Sequence, residues 1–200
     1  MRERQAMTPD AAARPAAEIR RLQPAEWAAV REVRLAALAE SPGAFFSTLE
    51  QEQAFDEPEW RRRLAETAYF GAWEGGPEPR LTGMVATFPE ASTDGAGPAG
   101  DTAGEVRAAG GSWHLVAMWV SPARRGSGIA DRLVEAVCEL ARGRGAAQVA
   151  LWVADANPRA QALYRRLGFR LSGERGLLRD GDPASGEARM TRDLRGRLRR

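Results

Sequence analysis

The stretch "WHLVAMWVSPARRGSGIADRL", residues 113–133, decides how this chain is read. Its first part, 113–120, is an apolar run of strand length, predicted to be covered on both faces. Its last part begins a helix whose buried stripe is Ile129, Leu133, Val137 and Leu140. Pro122, Arg124, Arg125, Gly126 and Gly128 fall in the turn between them. A helix start leaves backbone N–H groups without partners and carries partial positive charge. Glycines let those groups approach an anion, and an arginine fork matches phosphate oxygens. The turn therefore suits a pyrophosphate, although a flexible connection with a solvated basic face would show the same residues. A second apolar run, "VALWVA" at 149–154, completes a strand–loop–helix–strand unit over 113–153.

A dinucleotide-binding crossover fits this unit superficially, with Gly126 and Gly128 in the turn and Asp155 beyond the next strand. Three features oppose it. Ser121 to Arg125 separate the strand from the glycines, Asp131 stands where the third glycine belongs, and too little chain follows to complete a doubly wound sheet.

The segment from Val120 onward resembles instead the GNAT superfamily of acyl-CoA-dependent N-acetyltransferases. The family signature Q/R-x-x-G-x-G/A is met by Arg125, Gly126, Ser127, Gly128, Ile129 and Ala130. A second block, "NPRAQALYRRLGF" at 157–169, resembles the family's downstream motif, with Asn157, Ala160, Tyr164, Gly168 and Phe169 in place. The upstream "RLAALAESPGAFFST", 34–48, more loosely resembles a stretch common in bacterial members. The likeness covers roughly 17–194 and is strong over 115–172.

The resemblance implies an α+β fold: a central, mostly antiparallel twisted sheet of about seven strands with one parallel splayed pair, flanked by about four helices. It implies acetyl-CoA as donor, its pyrophosphate held by the backbone amides of Arg125 to Ala130. Backbone groups of Met118, Trp119 and Val120 would contact the pantetheine arm and the thioester carbonyl, and Asn157 and Ala160 the arm. Tyr164 matches the tyrosine that protonates the departing thiolate. On the helix pattern alone, a half-buried aromatic with a structural hydroxyl bond is the preferred reading, and the surrounding motif reverses that.

Along the rest of the chain, a first strand is predicted around Ile19. A helix follows from Pro24 past Leu38, then a second opened by Asp56 and Pro58 and carrying Trp60 and Leu64. Residues 68–88 read as a β-hairpin with a Gly/Pro turn. Asn157 caps a short helix with Leu163 and Leu167 on its inner face, and Gly168 stops it. Two closing strands flank a loop at 179–187. One domain over 17–194 is expected, with a disordered leader over 1–16, a long flexible loop over 89–112 and a basic tail over 195–200.

Composition adds bounds. The net charge is +2 from 29 basic and 27 acidic residues, so nothing demands nucleic acid or a membrane. Every basic side chain is arginine. A single cysteine, Cys138, excludes an internal disulfide framework and a metal cluster, and its place on a helix stripe reads as core. With no apolar leader or span, a cytoplasmic setting is expected.

The acceptor amine must lose a proton, because an ammonium of pKa about 10 is almost wholly protonated at neutral pH. His114, the only histidine, is the leading base candidate; simple alternation puts it on the side of Val116, Met118 and Val120 unless a bulge intervenes. A structural histidine is the plainer reading, and Glu74 and Glu105 are weaker candidates. "FFSTLEQEQAFDEPEW", 45–60, holds Glu50, Glu52, Asp56, Glu57 and Glu59 beside Phe45, Phe46 and Phe55. It could attract a cationic amine, but a solvated helix start is favoured. The expected function is acetyl transfer to a small-molecule amine. A protein or peptide acceptor and a non-catalytic CoA-binding module remain as alternatives. Homodimerisation is common in the family, and no residue pattern here establishes it.

Overall fold

A computed structural model describes residues 16–90, 110–178, 182 and 185–195. The leader up to residue 15, most of the 89–112 loop, Glu105, most of the 179–187 loop and the tail beyond 195 lie outside the described residues. The elements run β1 (Glu18–Arg21), α1 (Trp27–Glu40), α2 (Leu49–Gln53), α3 (Glu57–Glu66), β2 (Ala68–Glu74) and β3 (Arg80–Pro89). After these come β4 (Ser112–Val120), α4 (Ile129–Gly143), β5 (Gln148–Ala154), α5 (Pro158–Arg166), β6 (Arg170–Leu177) and β7 (Gly186–Asp193).

The strands form one sheet in the order β1-β2-β3-β4-β5-β7-β6. Every neighbouring pair is antiparallel except β4 and β5. That parallel pair is joined only at Ser112, Trp113 and His114, opposite Gln148, Val149 and Ala150. Beyond His114 the two strands separate, and the sheet is split from there to Val120 and Ala154.

Each face of the sheet carries its own apolar layer. Leu133, Val134, Val137 and Cys138 of α4 pack with Tyr164 of α5 on Val85, Leu115, Val149, Leu151 and Met190. Val30 and Val33 of α1 pack with Trp60 and Leu64 of α3 on Leu22 and Met84 on the other face. Burial pushes the Cys138 thiol up to about 11, so it stays un-ionised and unreactive at neutral pH.

Three expectations change. First, β4 does not alternate simply. Met84 pairs with Trp119 but Ala86 with Val116, so Ala117 and Met118 together face one residue of β3. Ala117 takes a left-handed backbone, φ 53°. This bulge reverses the strand's faces. Trp113 and Leu115 belong to the α4 layer before it, and Met118 and Val120 after it. His114 is therefore on the opposite face from Met118 and Val120, contrary to simple alternation. Second, α5 buries Tyr164, with Ala160 and Leu167 beside it, rather than Leu163. The spacing 160, 164, 167 is equally helical and one position displaced.

Third, α2 was not expected. Thr48 Oγ1 accepts from the Gln51 amide at 3.2 Å while Gln51 Oε1 accepts from the Thr48 amide at 2.9 Å, a reciprocal cap. Within the acidic stretch Glu50, Asp56 and Glu57 are exposed at helix starts, as the solvated reading expects, and Glu52 is the exception. Glu52 is buried against Arg34, whose Nε and Nη2 donate to it at 2.7–3.0 Å. The Arg34 guanidinium also sits 4.7 Å from the centre of the Phe45 ring. Glu57 pairs with Arg61, and Glu59 with Arg62 and Arg63. Only Phe46 of the three phenylalanines is strongly exposed.

Candidate functional site

The split in the sheet is the centre of the site, and the glycine loop stands at its mouth. The amides of Arg125 and Ser127 are taken by the turn itself, bonding the carbonyls of Pro122 and Arg124. Among the described residues, no backbone carbonyl accepts from the amides of Gly126 and Gly128. Ile129, Ala130 and Asp131 open α4, where helix geometry leaves N–H groups without intrahelical acceptors. Two neighbouring sets of free donors thus face the loop, with the positive end of α4 behind them.

Gly126 and Gly128 have φ of 82° and 81°, and nothing lies within 4 Å of where a Cβ would stand on either. Backbone conformation, not crowding, requires glycine here. Gly128→Ala is expected to cost about 1–2 kcal/mol of stability from the left-handed backbone alone. A thermal midpoint equal to that of the parent would refute this.

The two arginines of the loop are both engaged. Arg125 Nη2 donates to Glu40 Oε2 at 2.6 Å, and its Nε to the Val120 carbonyl at 3.1 Å. Trp119 Nε1 donates to the same Glu40 oxygen at 2.8 Å. The end of α1 is thereby tied to the end of β4 and to the loop. Arg125 beside it holds the Glu40 carboxyl below its ordinary range, with Trp119 helping against the opposing effect of burial. The Arg124 guanidinium meets the Glu74 carboxylate and is largely buried. That contact also removes Glu74 as a free base. Asp131 would place negative charge beside an incoming anion, but Arg166 grips both its oxygens at 2.6 and 2.8 Å.

On the α4 side of the split, Tyr164 is buried, its ring edge-on to Phe169 with centroids 5.5 Å apart. Burial raises its phenol above the ordinary value, so it keeps its proton throughout the neutral range. Asn157 is the cap of α5, its Oδ1 accepting from the Ala160 amide at 3.1 Å. The remaining side-chain amide of Asn157 takes no part in the cap.

On the other face, at the vertex of the split, stands His114. Its ring stacks on Phe88, centroids 5.5 Å apart and planes 17° from parallel. Its Nδ1 lies 2.8 Å from Glu90 Oε1. Glu90 was not singled out in the sequence, because it lies just past the end of β3. Met118 and Trp119 line the two sides of β4 beyond the bulge, Met118 toward the α4 layer and Trp119 toward the α1 layer. Tyr164 and His114 therefore flank the split from opposite faces. A groove lined by Arg142, Gln148, Arg170, Thr191 and Arg195 lies at the other end of β5 and takes no part in this arrangement. Among the described residues, no group of three His, Cys, Asp or Glu could hold a metal ion, and no helix is long and apolar enough to cross a membrane.

Comparisons with known proteins agree with this geometry. The family model described as "Acetyltransferase (GNAT) family" matches residues 35–169. A thialysine N-epsilon-acetyltransferase of Bos taurus is 40% identical over 55 residues, 28% of this chain and 32% of that protein. A streptothricin acetyltransferase of Streptomyces lavendulae is 34% identical over 95 residues, 46% of this chain and 50% of that protein. The chain thus spans half or less of the length of these curated relatives. Among solved structures, the yncA protein of Salmonella typhimurium, solved with its cofactor acetyl-CoA, superposes with a TM-score of 0.66 at 18% identity, covering 89% of this chain and 94% of that one.

Proposed function

The chain belongs to the GNAT acetyltransferase family, and on that premise we propose that it moves the acetyl group of acetyl-CoA to a primary amine of a small molecule. Attack is direct, with donor and acceptor bound together. The observation that carries this reading is the split between β4 and β5, with free loop amides at its mouth and Tyr164 and His114 on its two faces.

The residues present fit the donor. A pyrophosphate would take the amides of Gly126 and Gly128, which donate to no backbone carbonyl among the described residues, and those of Ile129 and Ala130 at the start of α4; the space beside both glycines is open. The unpaired edges of Met118, Trp119 and Val120 and of β5 offer backbone groups to an extended arm, as a missing strand would. The bulge takes Ala117 and Met118 out of the regular ladder with β3. The Met118 amide is then available to the thioester oxygen, where a fixed donor stabilises developing charge by about 3 kcal/mol. Asn157 and Ala160, at the start of α5, border the same arm.

Tyr164 gives its proton to the departing thiolate, and its raised proton affinity keeps that proton available. His114 takes the proton of the incoming amine, directly or through one water, from the opposite face. The amine nitrogen bonds to the carbonyl carbon as the carbon–sulfur bond breaks, giving the amide and free coenzyme A.

The small-molecule acceptor is supported by the two partial relatives, whose names specify streptothricin and thialysine. A cytoplasmic, bacterial setting fits the reading, as does a single domain over 17–194. The test is calorimetry with acetyl-CoA, followed by a screen of amines in which released thiol is measured. Saturable binding and amine-dependent thiol release are expected. No heat of binding would overturn the donor assignment, and release only with peptides would overturn the small-molecule acceptor.

A further inference from the structure

The base assigned to His114 rests on a bare imidazole unless something fixes which nitrogen carries the proton. The structure supplies a candidate. Glu90 Oε1 lies 2.8 Å from His114 Nδ1, and Glu90 Oε2 accepts from Arg189 Nη2 at 2.5 Å. Arg189 Nη1 in turn donates to both oxygens of Glu174, at 2.9 and 3.0 Å. The row Glu174–Arg189–Glu90–His114 thus runs from the edge strand β6 across β7 to the vertex of the split. It depends on a second bulge. The register of β6 slips between Leu171 and Arg175, Gly173 has φ 94°, and the Glu174 amide donates to Ser172 Oγ at 3.2 Å.

From this geometry we infer that Glu90 is a positioning residue for the acetyl-transfer reaction, holding His114 in the one tautomer that leaves Nε2 free to accept a proton. This deepens the proposed function and rests on its assignment of His114 as base.

Burial works against the Glu90 charge, but the hydrogen bonds of His114 and Ser112, with the charges of His114 and Arg189, outweigh it, and the carboxyl stays below its ordinary range. An ionised carboxylate only accepts, so Nδ1 must be the donor and the Nε2 lone pair is left open. Phe88 holds the ring plane. The charged groups around the ring are Glu90 from the end of β3, Arg189 and Glu187 from β7, and Glu174 from β6 beyond Arg189. Glu187 has its own carboxyl pushed up by burial, with the His114 charge opposing and Asp155 adding to the rise. It makes no contact with the ring that could replace Glu90.

Glu90→Gln separates positioning from packing. Arg189 can only donate, so the new amide turns its oxygen to Arg189 and its NH2 to Nδ1. Nδ1 must then accept, and the proton moves to Nε2, where it blocks the base. The test compares Glu90→Gln, Glu90→Asp and His114→Gln in the full chain, by kcat, KM for acceptor and donor, the pH profile of kcat/KM, and acetyl-CoA affinity. Glu90→Gln is expected to lower kcat about a hundredfold, the low end of a lost general base. The loss should fall on kcat, with KM for the donor unchanged, as expected of a residue that acts through the base. Glu90→Asp, which restores the carboxylate, should recover much of the rate, and acetyl-CoA affinity should stay at the parent value throughout. If His114→Gln is slow but Glu90→Gln keeps the parent kcat and pH profile, the positioning role is overturned while the base assignment stands. If His114→Gln is as fast as the parent, both fall. If Glu90→Gln does not fold, the tautomer is read directly from the ring 15N shifts of His114 in the parent: a proton on Nδ1 is expected, and a proton on Nε2 would overturn the inference.

Discussion

Replacing Tyr164 with phenylalanine should lower kcat about a hundredfold and leave acetyl-CoA binding near the parent value. The variant loses one hydroxyl and keeps the ring that packs edge-on against Phe169. A hundredfold is the low end for removing a general acid, and corresponds to about 2.7 kcal/mol of barrier. Turnover of any accepted amine at the parent rate would remove Tyr164 from the mechanism.

The same substitution has a stability signature. In the unfolded chain a tyrosine loses its proton near pH 10. In the folded protein burial raises that value for Tyr164. Its contribution is therefore fully present below pH 10 and is lost as pH rises further, because only the unfolded chain can then shed the proton. The parent should lose stability as pH rises from about 10 to 12 more steeply than Tyr164→Phe. Parallel denaturation curves for the two proteins across that range would contradict the burial argument.

Glu52→Ala should cost about 3–5 kcal/mol, the largest stability effect expected of any single side chain here. It would leave the Arg34 guanidinium buried without its carboxylate, and Arg34 Nη1 already has no hydrogen-bond partner. At about 2–4 °C per kcal/mol for a chain of this size, the thermal midpoint should fall by about 10 °C. The double variant Arg34→Met, Glu52→Leu should restore most of the loss, since well-packed apolar residues replace a buried pair at little cost. A small effect of the single change would mean that water reaches the pair. The pair matters for function because it fastens α2 to α1, and α1 ends on Glu40 beside the loop.

The glycine loop was legible in the sequence because its backbone needs particular residues. Left-handed backbone at 126 and 128 nearly demands glycine, and a helix start must follow. The Asn157 cap was legible from the residue pattern, whereas Tyr164 stood out only through the resemblance, since the helix pattern alone favoured Leu163 for the inner face. The side on which His114 stands was not legible. It depends on a bulge at Ala117, and alanine carries no signal for a left-handed backbone. Glu52 was misread for a related reason. Composition shows an acidic, polar stretch, while burial of that carboxylate depends on an arginine in another helix. The Thr48–Gln51 cap was visible as a short pattern and would have placed α2. Glu90 could not have been found by spacing, because a long insertion separates it from the histidine it serves.

The break between β4 and β5 also bears on how long the protein lasts. The sheet is two half-sheets, stitched together through Ser112, Trp113 and His114. A donor seated in the gap, as proposed, would bridge the two half-sheets. Binding to the folded form alone adds about 2.7 kcal/mol when the donor stands a hundredfold above its dissociation constant. A gain of that size is enough to change abundance several-fold in a cell that degrades opened chains. Resistance of the folded chain to unfolding would then rise with the concentration of the proposed donor, which a thermal-shift titration with acetyl-CoA would measure.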